Sequence, residues 1–176
     1  MLGQAEEKNK MKINIEELKL ILLYKSFDEI EAALRDFDIA SFDSNGSNIL
    51  HYYVRNHGVV PIPVENMVRL FLDFGININA KQSKMSKRTA LHLAVLMKSR
   101  DIFDVLLKKG VDINIPDGNG NVALSDAVFG YRGDDGYFIE TLISNGARVD
   151  IMNNYGVSPK GLGETIANYD TRKFFS

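Results

Sequence analysis

Two short phrases alternate along this chain, and their spacing restricts the fold more than any other feature. The first is a glycine followed by apolar residues alternating with Asn, Asp or Arg: Gly75-Ile76-Asn77-Ile78-Asn79, Gly110-Val111-Asp112-Ile113-Asn114 and Gly146-Ala147-Arg148-Val149-Asp150. Its copies lie 35 and 36 residues apart, and each comes after an amphipathic stretch ending in paired apolar residues: Phe71-Leu72, Leu106-Leu107 and Leu142-Ile143. A period of this size is that of a solenoid, in which each unit is too small to bury its own apolar face and must stack on its neighbours.

The second phrase falls between copies of the first. It reads Asn48-Ile49-Leu50-His51-Tyr52-Tyr53, Thr89-Ala90-Leu91-His92-Leu93-Ala94 and Val122-Ala123-Leu124-Ser125-Asp126-Ala127. Here residues 43 to 166 resemble the ankyrin repeat, about 33 residues of β-turn and two antiparallel helices with a T-P-L-H-x-A signature. The resemblance implies an all-α ankyrin-repeat solenoid of helix-turn-helix units with short β-turn fingers, about three repeats between degenerate caps. Registered on the glycines, the middle repeat keeps the family length, with Lys87 in place of the turn glycine. The intervals Gly46 to Gly75 and Gly120 to Gly146 are 29 and 26 residues against 23 for Lys87 to Gly110, so the outer repeats carry about six and three extra residues. The interval Gly75 to Lys87 is 12 where Gly110 to Gly120 and Gly146 to Gly156 are 10, adding two residues to one turn.

This register divides the chain into a disordered leader over 1–12 and one domain over 13–176, made of an N-terminal cap 13–42, repeats 43–80, 81–116 and 117–153, and a C-terminal cap 154–176. In the first cap Leu18, Ile21 and Leu22 mark one helix, and Ser26-Phe27-Asp28-Glu29 is a capping box opening a second with Ile30, Ala33 and Leu34 on one face. Phe37-Asp38-Ile39-Ala40 echoes the closing phrase. At the other end Gly156-Val157-Ser158-Pro159 restarts the turn, but Gly161 and Gly163 weaken the helix beyond it, and the cap is truncated.

Composition narrows the function classes. The net charge is −2, which supplies no general attraction to nucleic acid or anionic lipid. There is no cysteine, hence no disulfide and no thiolate zinc site, as suits a reducing, cytoplasmic compartment. The apolar run Leu18 to Leu23 is broken by Lys19 and preceded by Glu16 and Glu17, unlike a signal peptide, and no stretch is long enough to span a bilayer.

Candidate catalytic groups are poorly placed for chemistry. His51 and His92 occupy the histidine of the signature, where the resemblance implies a hydrogen bond to the backbone of the neighbouring turn. His57 has no second histidine at helical spacing. Asp134-Asp135 is flanked by glycines as an exposed loop would be, and Asp112 to Gly120 lacks the closing acid of a calcium loop. No nucleophile elbow or phosphate-binding glycine pattern occurs. The chain reads as a non-enzyme without metal or cofactor, monomeric alone, and with another protein as its partner.

The register also locates the surface that such a partner would meet. The finger positions are Ser44, Asn45 and Ser47, then Met85, Ser86 and Arg88, then Gly118, Asn119 and Asn121. The resemblance places Tyr52, Arg55 and Asn56, then Leu93, Leu96 and Met97, then Asp126, Phe129 and Gly130 on a concave face. Tyr52, Leu93, Met97 and Phe129 put apolar side chains where solubility alone would keep polar ones. The inserted segments Gly58 to Pro63 and Gly130 to Tyr137, the second carrying Tyr131, Arg132, Asp134 and Asp135, emerge opposite the fingers as a further contact edge. Residues 81–100 hold six bases and no acid, and residues 101–150 hold nine acids against four bases, a basic finger beside an acidic end. By analogy, a short irregular array resembles small bacterial ankyrin proteins that act as immunity partners of secreted toxins, the acidic end mimicking nucleic acid if the toxin is a nuclease. The rivals are an adaptor recruiting a signalling protein and, more remotely, an enzyme or stress-protective factor.

Overall fold

The computed structural model describes residues 12–84, 86–133, 135–165 and 170–175. Among these residues there are nine α-helices and no strand, and one isolated bridge joins Ile13 to Phe37. The helices are α1 (Ile15–Tyr24), α2 (Phe27–Leu34), α3 (Ile49–Asn56), α4 (Val64–Asp73), α5 (Ala90–Leu96), α6 (Arg100–Lys108), α7 (Ala123–Gly130), α8 (Tyr137–Ser144) and α9 (Pro159–Thr165). The leader lies outside the described residues except for Lys12.

The helices start where polar side chains can take up free amides. Asn14, Ser26, Asn48 and Thr89 each accept from the backbone of the first turn of α1, α2, α3 and α5, and each is answered by the side chain three residues on: Glu17, Glu29, His51 and His92. The expected Ser26 box is therefore formed. Val122 stands at the same point before α7 and offers no such cap.

Helices α1, α3, α5, α7 and α9 stack side by side as an inner row. In the outer row α4 packs on α6, and Phe103 of α6 meets Phe138 of α8 edge-on at 5.0 Å. Between the rows Leu50, Tyr53, Phe71, Leu91, Phe103, Leu106, Leu124 and Leu142 are all but fully buried. The hydroxyl of Tyr53 is buried there without a hydrogen-bond partner. A desolvated, unpaired hydroxyl opposes folding, so Tyr53→Phe is expected to raise stability by about 1 kcal/mol, seen as a higher urea midpoint at unchanged slope.

The recurring phrases have a physical reason. Asn77 and Asp112 accept from the amides of Asn79 and Asn114 two residues on, closing a tight turn. The second Asn then reaches the next repeat: Asn79 accepts from the Asp112 amide and Asn114 from the Arg148 amide, both at 2.8 Å. Asp38 in the cap's echo closes its turn in the same way. Likewise the fingers are built on Asp43, Asp117 and Asn153, each accepting from two later amides. Successive fingers are joined by backbone bonds, Ser83 N to Gly46 O, Gly118 N to Ser86 O and Asn154 N to Asn119 O.

The second finger starts at Gln82 and holds the two additional residues in its tip. Lys87 adopts φ 52°, the left-handed conformation that glycine takes at Gly46, Gly120 and Gly156. An L-residue there costs about 1–2 kcal/mol, and glycine gives back part of this in the unfolded chain. Lys87→Gly is expected to stabilise by about 0.5–1 kcal/mol, measured by thermal unfolding.

The other insertions lie between α3 and α4 and between α7 and α8. In the first, Gly58, Val59, Pro61 and Pro63 are exposed. After a 3₁₀ turn (His57–Val59) its apolar residues divide: Val60 is buried and Ile62 packs on the core, while Val59 is exposed. At the C-terminus α9 is short and a 3₁₀ turn (Arg172–Phe174) folds back. Thr171 donates to the Gly163 carbonyl at 2.8 Å, and the Phe175 ring passes so close to Gly163 that a β-carbon there would meet it at 2.7 Å.

Candidate partner-binding surface

Equivalent positions on the inner helices form three rows, each taking one residue from each repeat. In the row Arg55, Leu96 and Phe129 all three side chains reach solvent, and Leu96 and Phe129 are 41% and 64% exposed. Met97 in the next row is 53% exposed. The row Tyr52, Leu93 and Asp126 lies deeper. Tyr52 is half-buried under the Lys19 ammonium, 5.2 Å from the ring centroid, and Lys19 is held in turn by Asp43 at 2.7 Å. Leu93 is only 4% exposed, so it is a core residue and not a contact residue: the α5 helix is packed on both sides by α3 and α7.

The fingers sort in the same way. Asn45 and Asn119 sit exposed at the tips, with their amides bound to Asp43 and Asp117. Ser47 is buried, where it accepts from Gln82 and Arg55. Arg88 turns inward, its guanidinium 3.9 Å from Asp117 and 3.7 Å from Asp126. Part of the basic run is thus spent on the acidic end: Arg88 faces Asp117 and Asp126, and Arg100 pairs with Asp135 at 2.6 Å.

In the third inserted loop the sequence reading is corrected at Tyr131, which is 5% exposed and packs edge-on against Phe174 at 5.3 Å. The returning C-terminal segment covers it. Arg132 is exposed but donates to the carbonyls of Phe129 and Tyr131, and Asp135 is exposed in its pair with Arg100. Asp134 lies outside the described residues. An eight-residue helix separates this loop from the fingers, about 12 Å at the usual rise, so Arg132 and Asp135 do not share a site with Asn119.

Arg88, Asp126 and Phe129 do come together. They line a groove of about 350 Å³ between α7 and the fourth finger, whose far wall is Tyr155, Val157 and Leu162. Burial pushes the Asp126 carboxyl up to about 6, with Asp117 adding to the rise and Arg88 opposing it. Tyr155, 77% exposed, was missed by the sequence reading, which assigned residues 154–176 to a cap. Its signal was present: one residue before Gly156, it occupies the finger position of Asn45 before Gly46 and Asn119 before Gly120.

Both signature histidines tie the start of their helix to backbone 29 residues on. His51 Nε2 donates to the Ala80 carbonyl at 3.0 Å and His92 Nε2 to the Asn121 carbonyl at 2.9 Å, while each Nδ1 accepts from its own cap amide. Burial holds both below the ordinary imidazole range, His51 at about 4. A neutral imidazole with both nitrogens engaged is a structural bolt.

No described helix is long and apolar enough to cross a membrane. The family model for ankyrin repeats (3 copies) matches residues 18–117. The chain is also similar to the nuclear factor NF-kappa-B p105 subunit of Gallus gallus, 30% identical over 120 residues, which is 66% of this chain and 12% of that relative. Paired helices, bonded fingers and bridging histidines agree with a family match over more than half the sequence: this chain belongs to the ankyrin-repeat family.

Proposed function

We propose that this protein is a binding module for another protein, and more specifically an immunity protein that neutralises a cognate bacterial toxin by covering its active site. Ankyrin repeats are protein-interaction modules. The observation that carries the binding reading is the set of exposed apolar side chains Leu96, Met97, Phe129 and Tyr155, contributed by successive repeats, of which Phe129 and Tyr155 line a groove. Exposed aromatic and long apolar side chains are anchors of the kind that supply most of an interface's energy. The toxin reading rests on likeness of architecture, a short array with uneven inter-helix loops and acids concentrated over residues 101–150. A regulatory adaptor is the second reading, favoured by the similarity to a protein named as a subunit of a nuclear factor.

The test is capture from a lysate of the source organism with the wild-type chain and with a Leu96→Ser, Phe129→Ala, Tyr155→Ala variant. One stoichiometric partner, lost in the variant and inhibited when bound, is expected. A partner whose activity is unaffected by binding sinks the immunity reading in favour of the adaptor. Equal capture by the variant removes this surface from the binding reading.

A further inference from the structure

We propose that the groove between α7 and the fourth finger is a receptor for one cationic side chain, an arginine presented by a loop of the partner protein, with Asp126 as its acceptor and the Phe129 and Tyr155 rings as its walls. The proposal rests on the protein-binding reading and specifies what that surface selects.

Asp126 is nine-tenths buried, lines the groove, and its Oδ2 has no hydrogen-bond partner. The nearest cation does not satisfy it. Arg88 Nη2 stands 3.7 Å from Asp126 Oδ1, beyond hydrogen-bond range, and Arg88 Nε is itself buried without a partner, 3.9 Å from Asp117 Oδ2, which also lacks one. Two carboxylates therefore share one guanidinium that reaches neither closely, and the cluster has a net charge of −1. A buried acceptor left open costs folding free energy and is seldom kept without a use. Asp117 has no exposed side-chain surface, whereas Asp126 keeps 10% of its own although its Oδ2 is buried, so an incoming group meets the carboxyl of Asp126 and not that of Asp117.

The charge balance selects a cation over an anion, because an anion would add a third negative group to one arginine. The walls select which cation. Phe129 of α7 and Tyr155 of the fourth finger both line the groove and are 64% and 77% exposed, suited to an apolar stem and to the face of a guanidinium. Beside Arg88 and Tyr155, the other polar lining groups, Asn121, Ser125, Asn153 and Ser158, are uncharged. Asn153 already donates to Asn121 at 2.8 Å, which holds the floor of the groove in place. The planar fork of arginine can reach the Asp126 carboxylate while its stem lies between the rings.

The experiment is a titration of the full chain at pH 7.5 with Nα-acetyl-arginine N-methylamide and, separately, with its uncharged citrulline counterpart, tracking the ring signals of Phe129 and Tyr155 by NMR. The arginine probe is expected to shift both rings saturably and to bind at least about tenfold more tightly than the citrulline probe. Asp126→Asn should remove that preference, and Phe129→Ala, altered at an exposed position, should weaken binding without unfolding the chain. The absence of saturable shifts, an equal response to citrulline, unchanged preference in Asp126→Asn, or displacement of the probe by acetate would overturn the proposal. Should Asp126→Asn not fold, the citrulline comparison and Phe129→Ala decide. The probe requires no partner, so its failure leaves the protein-binding reading intact, and a failed capture experiment leaves arginine recognition measurable.

Discussion

Replacing His51 with alanine is expected to lower the free energy of unfolding by about 3 kcal/mol, and the melting temperature by roughly 10 °C. The imidazole makes two contacts at once, accepting from the Asn48 amide that opens α3 and donating to the Ala80 carbonyl 29 residues on. Alanine removes a helix-cap partner and leaves a part-buried carbonyl open, about 1 kcal/mol for the first and 1–3 for the second. The same variant should alter the acid limb. Unfolded imidazole protonates near 6.5, whereas burial keeps folded His51 neutral down to about 4. As pH falls between these values the unfolded chain takes up a proton that the fold refuses. Stability is therefore full above 6.5 and declines towards 4, by roughly 3 kcal/mol from this residue. Urea unfolding between pH 7.5 and 4 checks it: the curve for His51→Ala starts lower and falls less. Asp126 works in the opposite sense, because its carboxyl, raised to about 6, takes up a proton in the fold before it does so in the unfolded chain. A variant curve parallel to the wild type would mean that His51 is not held neutral.

The second large effect is expected at Gly120. Its φ is 83°, and a β-carbon there would lie 2.8 Å from the Asn154 amide nitrogen and 2.9 Å from Asn153 Cα. Lys87 shows that a side chain at such a backbone angle can be accommodated when space is open. At Gly120 it is not open. Gly120→Ala combines the backbone cost with a collision against rigid main chain, together about 3 kcal/mol. The displaced part would be the fourth finger, joined to the third by Asn154 N donating to Asn119 O at 2.9 Å. Because each repeat is supported only by its neighbours, the C-terminal end should loosen first. Hydrogen exchange in residues 149–165 should accelerate well before that of α3 and α4. Uniform exchange across the chain would contradict this order.

How much of the fold and the surface was legible in the residues alone depended on whether a residue's role was local. Ser26 and Glu29 form a capping box because both partners lie within one turn, and their spacing displays it. The positive φ at Lys87 could be had from counting between glycines, since a repeat forces equivalent residues into equivalent backbone. The bridging histidines were readable through the resemblance for the same reason. The site was read less well. Leu93 and Phe129 stand one helical step apart in register, and both are apolar; one is core and the other surface. Tyr131 looked like a loop residue, and it is buried because the chain returns 43 positions later to lay Phe174 against it.

The sequence by itself therefore determined the repeat, its register, its irregular lengths and the class of protein, because each of these depends on contacts repeated at a constant separation. Only the tertiary structure decided which members of a row reach solvent, that Arg88 is drawn inward to Asp117 and Asp126, and that Tyr155 belongs to the groove. Those outcomes turn on packing between elements of unequal length, where an insertion or a returning segment covers one equivalent position and leaves another open, and no period in the sequence records it.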